Sequence, residues 1–120
     1  MTYVRMYGGV DGESHFEDVT VDLQLGDYSP PTPPVYISPF IAARQFGFVT
    51  APAGWVGEWH PVPSRQVFVF LAGEMEVQVS DNEVRRFRAG SVLLAEDTVG
   101  RGHQSRVVGA EDVSMAAVQL

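Results

Sequence analysis

Apolar and polar residues alternate along much of this chain. In Glu74–Ser80 the apolar Met75, Val77 and Val79 are separated by Glu74, Glu76, Gln78 and Ser80. A two-residue period is what a half-buried β-strand imposes, because successive side chains leave opposite faces of a sheet. Asp81-Asn82 follows as a two-residue turn, and Glu83 to Phe87 runs back as the second strand of a hairpin. Upstream, Gln66-Val67-Phe68-Val69-Phe70-Leu71 is an apolar strand closed by Ala72-Gly73. Downstream, Ala89-Gly90 turns into the strand Ser91-Val92-Leu93-Leu94-Ala95, and His103 to Val108 and Ser114 to Leu120 supply two more. Phe40 to Val49 is a long strand candidate, and Tyr3 to Tyr7 and Phe16 to Leu25 are strands of the N-terminal third. No long segment carries the recurrence of an amphipathic helix.

Many short strands with closely spaced turn signals predict an all-β sandwich or barrel. The segment Ser29-Pro30-Pro31-Thr32-Pro33-Pro34 is rigid and extended. It is expected to be a connector laid over the barrel surface rather than a docking motif, since no other low-complexity sequence surrounds it. One domain over residues 1–120 follows, with N-terminal strands and the Pro-rich connector in 1–38 and the barrel in 39–120. Strands ahead of such a connector suit pairing with a neighbouring subunit's sheet, which predicts a homodimer.

Composition narrows the function classes. Hydrophobic residues make up 45% of the 120, an ordinary globular fraction. Fifteen acidic residues face eight basic ones, all arginine, for a net charge of -7. This balance argues against a nucleic-acid partner. Without lysine there is no Schiff-base chemistry and no P-loop, so no nucleotide cofactor is expected. Without cysteine there is no disulfide and no thiolate ligand or nucleophile. The N-terminus lacks the basic-then-apolar pattern of a signal peptide, and no apolar run suits a membrane span, so the cytoplasm is the expected location.

The candidate chemistry lies in one spacing: Gly54, five residues, His60, one residue, Val62, three residues, Gln66, six residues, Gly73. This resembles the first motif of the cupin family, with Val62 where that motif has a second His and Gln66 where it has a Glu. A second tract opens at Gly90 and closes at His103, two residues later than the family's interval and without its Pro-x-Gly turn. Glu96-Asp97-Thr98-Val99-Gly100-Arg101-Gly102-His103 and Ser14-His15-Phe16-Glu17-Asp18 also look like tracts of small bacterial cupins. The resemblance implies a double-stranded β-helix, a jelly-roll barrel, in which His60, Gln66 and His103 converge inside. It also implies a homodimer and a small-molecule ligand or substrate.

Two imidazoles and an amide oxygen are suitable donors for a divalent transition metal (Zn, Fe, Mn or Ni), so His60, Gln66 and His103 are the candidate metal ligands. Losing one imidazole and the carboxylate's charge weakens that expectation. The metal-free alternative makes His60 or His103 a general base beside Glu58, which shares the strand parity of His60, or Asp97. Phe68, Phe70 and Met75 share the inward face and would line an apolar pocket with one polar end; Trp59 and Arg44 are candidates for stacking on a ligand or clamping its carboxylate. Each has a plainer reading: Trp59 as core or rim, Arg44 as surface, His15 as structural, and Gln66 as partner of a backbone group. Two functions stay open. One is an enzyme of the dioxygenase, isomerase, lyase or cyclase type, and the other a non-catalytic module that binds or senses a small molecule.

Overall fold

The computed structural model describes all 120 residues and contains eleven strands. In chain order they are β1 (Thr2–Gly8), β2 (Ser14–Thr20), β3 (Gln24–Gly26), β4 (Val35–Ile37), β5 (Gln45–Ala51), β6 (Gln66–Ala72), β7 (Glu74–Val79), β8 (Val84–Arg88), β9 (Val92–Glu96), β10 (His103–Val108) and β11 (Val113–Gln119). A six-stranded sheet runs β2-β1-β9-β6-β11-β5 and a three-stranded sheet runs β10-β7-β8. The third pair, β3-β4, stands apart as a short hairpin. All pairings are antiparallel except β1 with β9. Strand pairing ends at β2 and β5 on the large sheet, so this jelly-roll sandwich is not closed into a barrel. No helix is long and apolar enough to cross a membrane.

Alternation explains the core. Met75, Val77 and Val79 of β7 are buried, as are Phe87 of β8 and Val107 of β10. Facing them from the large sheet are Met6, Phe16, Phe70, Leu93, Ala95 and Met115. Phe70 stacks on Phe87 at 5.2 Å between ring centroids, and Phe16 meets Phe87 at 6.1 Å, so aromatic contacts join the two layers. This interior is a filled core. Phe70 and Met75 belong to its main cluster, and Phe68 packs against it half-buried. Val62, where the motif has its second His, also lies in this cluster.

Four expectations about elements need correction. The turn after β7 has three residues, Ser80-Asp81-Asn82, because Ser80 turns inward and its Oγ accepts a hydrogen bond from Ser14 N at 2.7 Å. Asn82 takes φ 79°, the left-handed residue that closes a three-residue hairpin loop. The predicted strand from Phe16 to Leu25 breaks after Thr20, and that from Phe40 to Val49 begins only at Gln45. The Pro-rich segment is the tip of the β3–β4 hairpin, an exposed arm rather than a connector over the barrel. Pro cannot donate to a ladder, so the residues on either side pair while the prolines turn the chain.

His15 is structural. It lies on the outer face of β2, where Nδ1 is 2.7 Å from Asp81 and Nε2 2.9 Å from Asp11, clamping the β1–β2 turn to the β7–β8 turn. The hydrogen bond to Asp11, then that to Asp81, raises the His15 pKa above the usual imidazole value, and the same bond lowers that of Asp11. The folded chain therefore holds the His15 proton more tightly than the unfolded one. The clamp contributes fully below the ordinary imidazole range and fades as pH rises through the raised one. Thermal melting between about pH 6 and about pH 9 tests this: the wild type should lose more stability on alkalinisation than His15→Gln. Equal losses would remove the clamp from the account.

Candidate functional site

The site begins where an irregular segment meets the start of β10. Residues 55–60 run beside β10 through isolated bridges, Val56 to Arg106 and His60 to His103. His60 N donates to His103 O and His103 N donates to His60 O, both at 3.0 Å. Such a reciprocal pair brings the two Cα atoms close and turns both side chains to one face. The imidazole centroids consequently lie 4.7 Å apart with the rings tilted by 53°. Gly102 makes this approach possible. It takes φ +78°, and a Cβ there would meet His60 O at 2.1 Å.

Hydrogen bonds orient both rings. His60 Nδ1 lies 2.8 Å from the backbone carbonyl of Glu58, which fixes the proton on Nδ1 and leaves Nε2 with its lone pair. His103 Nδ1 lies 2.7 Å from Asp97 Oδ2, which has the same consequence. The surroundings differ sharply. His60 is exposed, His103 is 7% exposed and Asp97 is 0% exposed. Asp97 Oδ2 also accepts a hydrogen bond from Ser14 Oγ at 3.1 Å, while Oδ1 is buried without a partner. Val62 N donates to Asp97 O and pins the loop between β9 and β10.

The other sequence candidates have surroundings of their own. Gln66, 8% exposed, lines a cavity of about 190 Å³ with Phe46, Phe48 and Gln119 that includes neither imidazole. The larger cavities do not include His60 or His103 either. The Glu58 side chain is exposed, and only its backbone carbonyl touches His60. Arg44 donates from Nε to Leu120 O at 3.0 Å at the end of β11 and contacts neither ring. Trp59 is half-buried with the Arg101 guanidinium 3.9 Å above its ring. Phe68, Phe70 and Met75 pack in the core described above.

The fold family's usual metal centre does not suit these donors. Its second imidazole is replaced by Val62, packed in the core, and its carboxylate by the neutral amide of Gln66. No group of three or more His, Asp or Glu side chains is arranged to hold a metal ion. What the arrangement offers is two adjacent rings, each bonded through Nδ1 and neither bonded through Nε2, one of them backed by a buried carboxylate.

Asp97 and Ser14 carry a signal that strand parity alone reveals. Leu93, Ala95 and Asp97 continue one inward face at the end of β9, and Ser14 and Phe16 do so on β2. A carboxylate on an inward face requires a buried partner, though parity does not say which.

No protein-family model matches the sequence, and a search of curated proteins returns no match. Solved structures do resemble the fold. The cupin domain of Schizosaccharomyces pombe Cnp3 aligns over 99% of this chain and 82% of its own length, with 17% identity and a TM-score of 0.50. A Cupin 2 conserved barrel domain protein from Salinispora arenicola aligns over 82% of this chain and 73% of its own, with 21% identity and a TM-score of 0.51. A cupin-2 domain containing protein from Shewanella frigidimarina covers 62% of this chain and 68% of its own at 17% identity and a TM-score of 0.47. The chain has the cupin fold.

If Gly102 is what lets the rings meet, Gly102→Ala must push the bridge apart. The variant is expected to lose the proton–proton cross-relaxation between the two imidazoles in NMR spectra and to melt below the wild type. Retention of that cross-relaxation would show that the backbone accommodates a Cβ there.

Proposed function

We propose that this protein is a cytoplasmic cupin enzyme that moves protons on a small organic molecule, with His103 as the general base and His60 beside it. The observation that carries this reading is the buried Asp97–His103 hydrogen bond next to a second oriented imidazole. Asp97 holds His103 in the tautomer whose Nε2 accepts a proton, and its charge stabilises the imidazolium that forms. Ser14 holds the carboxylate in turn. His60 is exposed, which suits the ring that meets substrate first and exchanges its proton with water. Among reaction types, isomerase or lyase chemistry beginning with proton abstraction next to a carbonyl fits these parts best, and no step requires a metal.

Deuterium incorporation tests the reading. Wild-type protein in D2O, with a panel of small ketones and 2-oxo acids, should exchange the enolisable protons of at least one member, and chelation should leave the rate unchanged. Asp97→Asn should slow that exchange by roughly 10²–10⁴-fold, since it removes the partner that sets the tautomer. Exchange that survives both Asp97→Asn and His103→Gln would overturn the assignment. Binding without exchange by the wild type would instead favour the second reading, a small-molecule binding or sensing cupin. That reading has its own support in the mostly apolar groove of about 470 Å³ beside Val67, Val92 and Leu94, which includes neither imidazole.

The enzyme unit in this proposal is a homodimer. The arm exposes Leu25, Tyr28, Val35 and Tyr36; Phe40 and Ile41 follow it, and Phe46 and Phe48 lie on the outer face of β5 at 65% and 72% exposure. Together these residues amount to roughly 1,000 Å² of open surface, comparable to one side of a standard interface and above the apolar area monomers usually leave bare. A two-stranded hairpin is marginal alone, and an uncharged edge strand without proline invites pairing. A second copy meets both needs with one self-complementary contact. Light scattering should give twice the chain mass, falling to the monomer in a Phe46→Ser/Phe48→Ser variant; a monomeric wild type at micromolar concentration would refute the dimer.

A further inference from the structure

Arg101 differs from the other arginines of the chain. Arg5 pairs with Glu17 and Glu96, and Arg65 with Glu96. Arg85 pairs with Asp18 and Glu83, and Arg86, Arg88 and Arg106 pair with Glu74 or Glu76. Arg44 donates to Leu120 O. Of the eight arginines, Arg101 alone has neither an ion pair nor a hydrogen bond to the protein, although acidic residues outnumber basic ones fifteen to eight. An exposed guanidinium in so acidic a chain would readily find a carboxylate. This one is held elsewhere, 3.9 Å over the face of Trp59.

The position follows from the same backbone that builds the imidazole pair. Trp59 immediately precedes His60, and Arg101 lies two residues before His103 between two glycines in the left-handed region, Gly100 at φ +80° and Gly102 at φ +78°. The reciprocal His60–His103 hydrogen bonds clasp these two segments together. The two segments held by this clasp therefore carry both the Arg101–Trp59 stack and the imidazole pair. Stacking occupies the face of a guanidinium and leaves its in-plane N–H groups free, in the fork geometry that matches a carboxylate. A flat aromatic platform also restricts the rotamers of Arg101, so less freedom is lost when an anion is bound.

We propose that Arg101, braced on Trp59, is the specificity-determining residue of the two-imidazole site, and that the site takes a small organic acid through its carboxylate. The proposal rests on the proton-transfer reading and names its substrate class. The carboxylate anchors on the guanidinium while C3, the carbon beyond the 2-oxo group, presents its proton towards the imidazoles, and an imidazole takes that proton to leave the enolate. Within the panel above, the 2-oxo acids should outrank neutral ketones of the same size. Phosphate offers a similar oxyanion, but its tetrahedral charge has no second free cation here to meet it, since the remaining arginines are engaged.

NMR titration with pyruvate, acetone and inorganic phosphate tests the assignment. The chain has three histidines and two tryptophans, so the imidazole Cε1–H and indole N–H signals are few. Pyruvate should shift the signals of Trp59, His60 and His103 saturably, with acetone and phosphate binding at least about tenfold more weakly. Arg101→Gln should weaken pyruvate by about tenfold or more, Arg101→Lys should recover part of it, and Arg65→Gln should leave it unchanged. Pyruvate bound equally well by Arg101→Gln, or phosphate bound as tightly as pyruvate, would overturn the carboxylate assignment. The His103→Gln variant separates the two readings. If Arg101 anchors the acid, pyruvate still shifts Trp59 there although deuterium exchange is lost. Shifts confined to Trp59 in the wild type, with both imidazoles silent, would refute this inference, because the anion site would then be separate from the rings.

Discussion

A carboxylate without exposed surface is the constraint around which the open end of this sandwich is organised. Burying an ionised group costs several kcal/mol unless hydrogen bonds and charge offset it. Asp97 meets that demand with His103 Nδ1 and Ser14 Oγ, drawn from β10 and β2, and its own backbone carbonyl holds Val62. The large sheet, the small sheet and the segment leading to β6 are thus tied at one residue. The remaining oxygen, Oδ1, has no partner, so the cost is only partly offset.

The departures from the cupin motif acquire a physical meaning from this. Replacing the motif's second His by Val62 adds an apolar side chain to the core cluster and fills space that a metal centre would leave polar. Replacing its Glu by Gln66 removes a charge from a position that borders a small cavity of mixed polarity with Phe46, Phe48 and Gln119. Both changes move this end of the fold away from cation binding. The two retained histidines are stabilised differently, through a backbone carbonyl and a buried carboxylate. Neither device needs a metal to set the ring orientation, although both resemble the outer hydrogen bonds that orient metal-bound histidines.

The outer surface follows the same economy of charge. Arginines on β8 and β10 interleave with Glu74 and Glu76 of β7 in a cross-strand network on the solvent face of the small sheet. Exposed pairs of this kind contribute little individually, so their main effect is to keep that sheet wetted and unpartnered. The large sheet is the opposite. Its outer face carries Val67, Val92 and Leu94 beneath residues 19–23 and 38–41, around a groove of about 470 Å³, and then the bare rings of Phe46 and Phe48. One outer face is charged and the other largely apolar.

Alternation along the chain was sufficient to place most strands within a residue or two, because a buried face demands period two whatever the topology. The run His103 to Val108 appears as a strand with those bounds, and the hairpin of β7 and β8 differs from expectation by one turn residue. The pairing of His60 with His103 was legible through the motif's spacing. Which atoms those rings touch was not, since Asp97, Ser14 and Arg101 come from loops and strands whose meeting depends on packing across two sheets. Local pattern is equally silent on whether an inward aromatic row encloses space or fills it. Phe68, Phe70 and Met75 read as pocket lining until Phe87 and Phe16 arrive from other strands to pack the interior. Periodicity is a property of neighbouring residues and survives in one dimension; burial, orphaned charge and the free edge of a guanidinium are set by contacts between residues distant in sequence, and only the folded chain brings those together.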